Sequence, residues 1–89
     1  MDKHILKTLR ELQARLRDTE PLTESDRRAV EELHDEIERL LERSKKGLPV
    51  EHHPLRTQLD AAAKRFEVSH PNLTGVIGRV VDSLSAMGI

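Results

Sequence analysis

The 89-residue chain contains no cysteine, no tryptophan and no tyrosine, and its only large aromatic side chain is Phe66. Without cysteine it can form no disulfide and no thiolate metal centre, and it has no thiol nucleophile. This composition suits a reducing cytoplasm, where we expect the protein to work. Without large aromatic anchors the core must be made of Leu, Ile, Val and Ala, each contributing less contact area. Long apolar runs are missing too. The least charged stretch, Pro71 to Ile89, still holds Asn72, Thr74, Arg79, Asp82, Ser83 and Ser85, whereas a membrane-spanning helix needs about 20 predominantly apolar residues. The opening Met1-Asp2-Lys3-His4-Ile5 leads into charged amphipathic sequence where a secretory signal would carry an apolar region.

What the chain does have is four stripes of apolar residues at helical spacing. Ile5, Leu9, Leu12 and Leu16 form the first; Val30, Leu33, Ile37 and Leu40 the second; Leu55, Leu59, Ala62 and Phe66 the third; Leu73, Ile77, Val80, Leu84 and Met87 the fourth. Intervals of three and four place each set on one side of an α-helix, which must bury that side against another. The fold class expected is all-α, a bundle or coiled-coil-like packing of residues 1–89 as a single domain.

The turn signals set the boundaries. Helix one should span about 3–17, from Asp2 or Lys3, and end at Asp18-Thr19-Glu20-Pro21, because the residue before a proline avoids helical geometry. Thr23 is the natural N-cap of helix two, about 24–46, with Glu24 and Asp26 at the positive end of its dipole. Gly47 is placed to end it in the left-handed conformation. The short link makes helices one and two an antiparallel hairpin. Residues 47–53 contain Pro49 and are the expected flexible connection; Pro54 suits the first turn of helix three, about 54–67. The heptad phase runs unbroken through Ser69-His70-Pro71-Asn72, yet Pro71 argues for two helices, with a C-terminal helix at about 71–87. Ala61-Ala62-Ala63, Gly75 and Gly78 point to close approach of neighbouring backbones, since glycine inside a helix is otherwise unfavourable.

The net charge of −1 conceals segregation: +3 over residues 1–17, −7 over 18–42, +4 over 43–65 and −1 over 66–89. An acidic helix two lying between basic helices one and three neutralises much of this within the chain and discourages mispaired topologies. The fourth stripe is wider than a two-stranded seam requires, because Val76 and Val81 flank it. A chain this short buries only about 60–65% of its unfolded surface. A homodimer is therefore expected, and Leu73, Val76, Ile77, Val80, Val81, Leu84 and Met87 are its candidate interface, unless the same helix is simply the most buried one of the monomer.

Reactive constellations are weak. Adjacent His52 and His53 point apart on an extended loop and lack further ligands. Glu31-x-x-His34 has the spacing found in di-iron carboxylate bundles, but it occurs once and lies beside the Val30/Leu33/Ile37 seam, so a metal-binding bundle is a remote alternative. The serines fit caps and helix ends, and Gly75-Val76-Ile77-Gly78 lacks the lysine and strand of a phosphate loop. No catalytic residue and no cofactor site is expected. Lys45-Lys46 and Lys64-Arg65 are basic, yet the isoelectric point is about 6.5 and stacking aromatics are absent, which argues against nucleic acid.

Leu9-Arg10-Glu11-Leu12, Ile37-Glu38-Arg39-Leu40-Leu41-Glu42, Arg65-Phe66-Glu67 with Ser69-His70-Pro71-Asn72-Leu73, and the closing Leu84-Ser85-Ala86-Met87-Gly88-Ile89 together resemble a small bacterial domain-of-unknown-function family. The resemblance implies a short cytoplasmic helical protein and transfers no activity, substrate or site residue. The functional expectation is a non-catalytic interaction or structural module that self-associates and can also take a heterologous protein partner. The alternative is an accessory protein that binds nucleic acid or a membrane surface.

Overall fold

Each apolar stripe becomes one helix. In the computed structural model, which describes residues 3–88, these are α1 (Lys3–Asp18), α2 (Glu24–Lys45), α3 (His53–Phe66) and α4 (Pro71–Ala86). Asp2, the alternative start of helix one, and the terminal Ile89 lie outside the described residues. Each helix packs on two neighbours in the cyclic order α1, α2, α3, α4 and back to α1, and the backbones of the diagonal pairs stay more than 8 Å apart at Cα. The sequence left a bundle and an open pair of hairpins undecided; the contact between the first and last helices closes the ring. Arg65 at the end of α3 meets Asp26 at the start of α2, and His70 before α4 meets Glu20 just after α1, so α2 and α3 run in opposite directions, as do α1 and α4.

All members of the four stripes are buried except Met87. Phe66, with Leu9, Leu12, Leu33, Ile37 and Leu59 among others, is excluded from water, and fully burying one such side chain contributes about 1.5–3 kcal/mol. The buried hydroxyls of Thr8 and Ser83 donate to the Ile5 and Arg79 carbonyls of their own helices, so neither leaves an orphan polar group. Glu36 is the only buried carboxylate among the described residues. It accepts from Arg39 Nε at 2.7 Å, and that bond raises the Arg39 pKa above its ordinary value.

The helix ends follow local chemistry. Thr23 Oγ1 accepts from the Asp26 N–H at 3.0 Å, satisfying one of the first-turn donors. Beyond α2, Gly47 takes φ of 72°, the Gly47 N–H donates to the Ser44 carbonyl and the Leu48 N–H to that of Arg43. Those two bonds make the Schellman arrangement that ends a helix at a left-handed residue. Arg43 Nε adds a 2.9 Å bond to the Pro49 carbonyl, and Val50 packs on the core, so the 47–52 connection is anchored at both its start and its middle.

At Pro71 the chain does break into two helices. His70 adopts φ −137° and ψ 69°, outside the helical region that a following proline disfavours. The ring of His70 lies edge-on to Phe66, with centroids 5.4 Å apart. Its Nε2 lies 2.8 Å from the Glu20 carbonyl, which can only accept, so Nε2 carries the proton. Its Nδ1 shares a second hydrogen bond with the Ser69 hydroxyl, 2.8 Å away. One side chain thereby ties the α3–α4 turn to the α1–α2 turn.

One expectation is overturned. Gly75 and Gly78 are exposed, and a Cβ placed on either would meet nothing within 4 Å. No backbone approaches them, because the side of α4 that faces α1 and α3 is the one carrying Leu73, Val76, Ile77, Val80 and Leu84. The alanine run is split likewise: Ala62 is buried, Ala63 packs on the core and Ala61 is exposed.

Candidate interaction surface

The seven residues proposed as an interface are placed unequally. Leu73, Val76, Ile77, Val80 and Leu84 are buried within the single chain, so they have no area left to offer a partner of this folded form. Val81 is half-buried against the same core, and Met87 is 39% exposed at the end of α4. The width of the fourth stripe has an internal cause: α4 packs on both α1 and α3, and a helix with two neighbours needs an apolar side more than one seam wide.

The apolar surface that remains semi-exposed at helical spacing is on the other side of the bundle, where α1 meets α2. Leu6 and Leu41 are half-buried there, one from each helix, and line a shallow groove of about 380 Å³ with Arg10, Arg17, Glu38 and Glu42. The groove floor is bridged by Gln13, whose Nε2 donates to Glu38 Oε2. Gln13 itself is buried, and this bond is its compensation. On the α1 side the surface continues over exposed Ala14 and between Lys3, Lys7 and Arg10.

Charge divides this surface along its length. Lys3, Lys7, Arg10 and Arg17 are all exposed, and among the described residues none has a carboxylate within 4.0 Å. Across the groove, Glu31 and Glu42 are exposed and unpaired in the same sense, and Glu38 is engaged only by Gln13. Two cations share that flank of α2: Arg27, held by Glu24 at 3.5 Å, and Lys45 in the last turn. Internal neutralisation between helices is thus thin. The cross-helix ion pairs among the described residues are Arg65–Asp26 at 3.0 Å and Arg79–Glu11 at 3.7 Å, and neither uses the basic row of α1.

That row had a signal in the sequence. Lys3, Arg10 and Arg17 are seven apart, a second heptad stripe offset from the apolar one, with Leu6 and Ala14 between them. Polar composition alone classes it as a solvated face; the stripe becomes informative only once α2 is known to lie beside it.

The other candidates do not converge. Glu31 is exposed and His34 half-buried, with His34 Nδ1 3.9 Å from Asp35 Oδ1. Among the described residues no three of His, Asp and Glu come together in a way that could hold a metal ion. His53 is exposed and His52 half-buried; burial lowers the His52 pKa below its usual 6.5, and its Nε2 is enclosed without a hydrogen-bond partner. Arg15, Asp18, Thr19 and Asn72 surround His70 in an open notch of about 430 Å³, where both ring nitrogens are already occupied by the two turns. No helix among the described residues is long and apolar enough to cross a membrane.

Residues 5–89 match the model of a family described as Domain of unknown function (DUF4404). No curated protein matches the chain, and no solved structure does.

Proposed function

We propose that this chain, which belongs to the family Domain of unknown function (DUF4404), is a non-catalytic protein–protein interaction module whose docking surface is the α1–α2 side of the bundle. The single observation that carries the reading is the basic row Lys3, Lys7, Arg10 and Arg17, unpaired and set around Leu6 and Ala14. Half-buried apolar side chains rimmed by charge are the usual composition of a reversible interface. Self-association belongs to the same reading, and the cytoplasm is the compartment we assign, supported by the absence of cysteine.

A basic row with leucine also fits an anionic membrane or nucleic acid. Glu31, Glu38 and Glu42 lie along the other half of this surface, however, and would repel a polyanion laid across both helices. An interaction module is favoured for that reason. A metal-binding role for Glu31 and His34 would need ligands from another chain.

The cysteine-free sequence allows a direct test. Lys7→Cys and, as a control on α3, Lys64→Cys are each labelled with a short photo-cross-linker and returned to the native host. The expected result is covalent adducts from position 7 and none from position 64. Equal labelling at both positions, or none at either, refutes the reading.

A further inference from the structure

We infer that the partner seated on the α1–α2 side is a second copy of this chain, related by a two-fold axis parallel to the helices, so that α1 of each copy lies on α2 of the other. This rests on the reading of that side as an interaction surface and goes further in naming its occupant and its geometry.

The argument begins with symmetry. Two copies meeting through the same surface are related by a two-fold axis lying in the contact plane. With the axis perpendicular to the helices, α1 would face α1 of the partner and four unpaired cations would meet four more. With the axis parallel to the helices, α1 crosses over to the partner's α2. The basic row Lys3, Lys7, Arg10, Arg17 then meets the row Glu31, Glu38, Glu42. Charge selects the second arrangement, because like charges juxtaposed at an interface disfavour it strongly.

Register supports the same choice. Gln13 of α1 is level with Glu38 of α2, and the two helices run antiparallel. At about 1.5 Å per residue, Arg10 is level with Leu41, between Glu38 and Glu42, while Arg17 is level with His34, one turn from Glu31. An axis parallel to the helices keeps every residue at its own height, so these levels hold between copies as well as within one. The leucines of the two grooves, Leu6 and Leu41 from each copy, are brought to a shared centre, with the opposed charges along the rim. Lys45 is the exception, level with Leu6 and three residues from Glu42 on the same helix.

Size is sufficient. The molecule measures 37 × 22 × 19 Å, so its long sides offer about 700–800 Å², close to the roughly 800 Å² that each partner of a stable complex buries.

The test is a charge swap read by mass. Light scattering of the unaltered chain at micromolar concentration should give twice the 10.2 kDa chain mass, falling toward one chain as salt rises. Arg10→Glu and Glu42→Arg each place like charges at the contact and should each yield a 10.2 kDa species; circular dichroism checks that these exposed substitutions leave the helices intact. The double variant Arg10→Glu/Glu42→Arg should recover the dimer. A monomer at every concentration, or a dimer whose mass ignores both single changes, overturns the inference. So do single changes that dissociate the dimer with no recovery in the double variant. Binding of the monomer to anionic vesicles or to random DNA would assign the surface to a different occupant. If the unaltered chain is monomeric while the position-7 adducts persist in the host, the interaction reading survives and only the second copy is lost; if the adducts vanish too, both fall.

Discussion

Arg65 of α3 places Nη1 3.0 Å from Asp26 Oδ1 and 3.0 Å from the Ser25 hydroxyl, joining the end of α3 to the first turn of α2. Asp26 also supplies the backbone N–H that Thr23 caps, so its carboxylate sits at the positive end of the α2 dipole and beside a guanidinium. With Arg65 more exposed than Asp26, solvent screening keeps the pair modest. A double-mutant cycle of Arg65→Ala and Asp26→Ala should return a coupling of about 0.5–1 kcal/mol from urea unfolding. A coupling of zero would show the contact to be geometric only.

Glycine at positions 75 and 78 serves no packing requirement. Replacing either with alanine adds a methyl to open space and removes conformational freedom from the unfolded chain, a gain of about 0.5–1 kcal/mol each. Thermal unfolding should rise by about 4–8 °C per kcal/mol for a domain of this size. A fall in Tm would mean that something approaches that side of α4 in solution.

Val76 and Val81 separate a core from a partner surface. Val76 is 5% exposed in the single chain, so Val76→Asp traps a carboxylate in the apolar core and should abolish the folded state. Val81 is half-buried, and an aspartate there can turn its carboxylate to water. Circular dichroism should show helix loss for the first and a folded protein for the second. If Val76→Asp stays helical while the assembly dissociates, the monomer core has been misassigned.

His52 predicts a pH dependence. Burial lowers its folded-state pKa below 6.5, so on acidification the unfolded chain takes up the proton first. The stability it contributes is therefore complete above about pH 6.5 and is lost as pH falls through the folded-state value. The Tm of the native chain should drop below pH 6.5 more steeply than that of His52→Gln. Parallel curves for the two proteins between pH 5 and 8 would refute it.

How much of this could be read before the structure depends on whether the controlling physics is local. The Thr23 cap, the Gly47 terminator and the break at Pro71 are set by a few adjacent residues, and each stands where the sequence places it. The closure of α1 on α4 is not local: four amphipathic helices satisfy their stripes in several arrangements, and the sequence contains no term for which pairs meet. The same gap explains the interface residues. A wide apolar stripe has one appearance whether a helix touches two neighbours of its own chain or one of its own and one of another. Gly75 and Gly78 do not mark a close approach for a related reason, since a glycine in a helix reports a tolerated cost without saying what compensates it.

The helix that packs most closely with α1 is the last one made. During synthesis at about 5–20 residues per second, Ile5, Leu9, Leu12 and Leu16 wait on the order of 3–14 s before Leu73 to Leu84 exist to cover them. The earlier neighbour, α2, forms the looser seam and protects them only in part. A nascent chain of this sequence therefore leaves the ribosome with its first helix still unsatisfied. Truncation within α4 would strand the same four side chains, making such fragments substrates for chaperones and proteases in place of smaller functional forms.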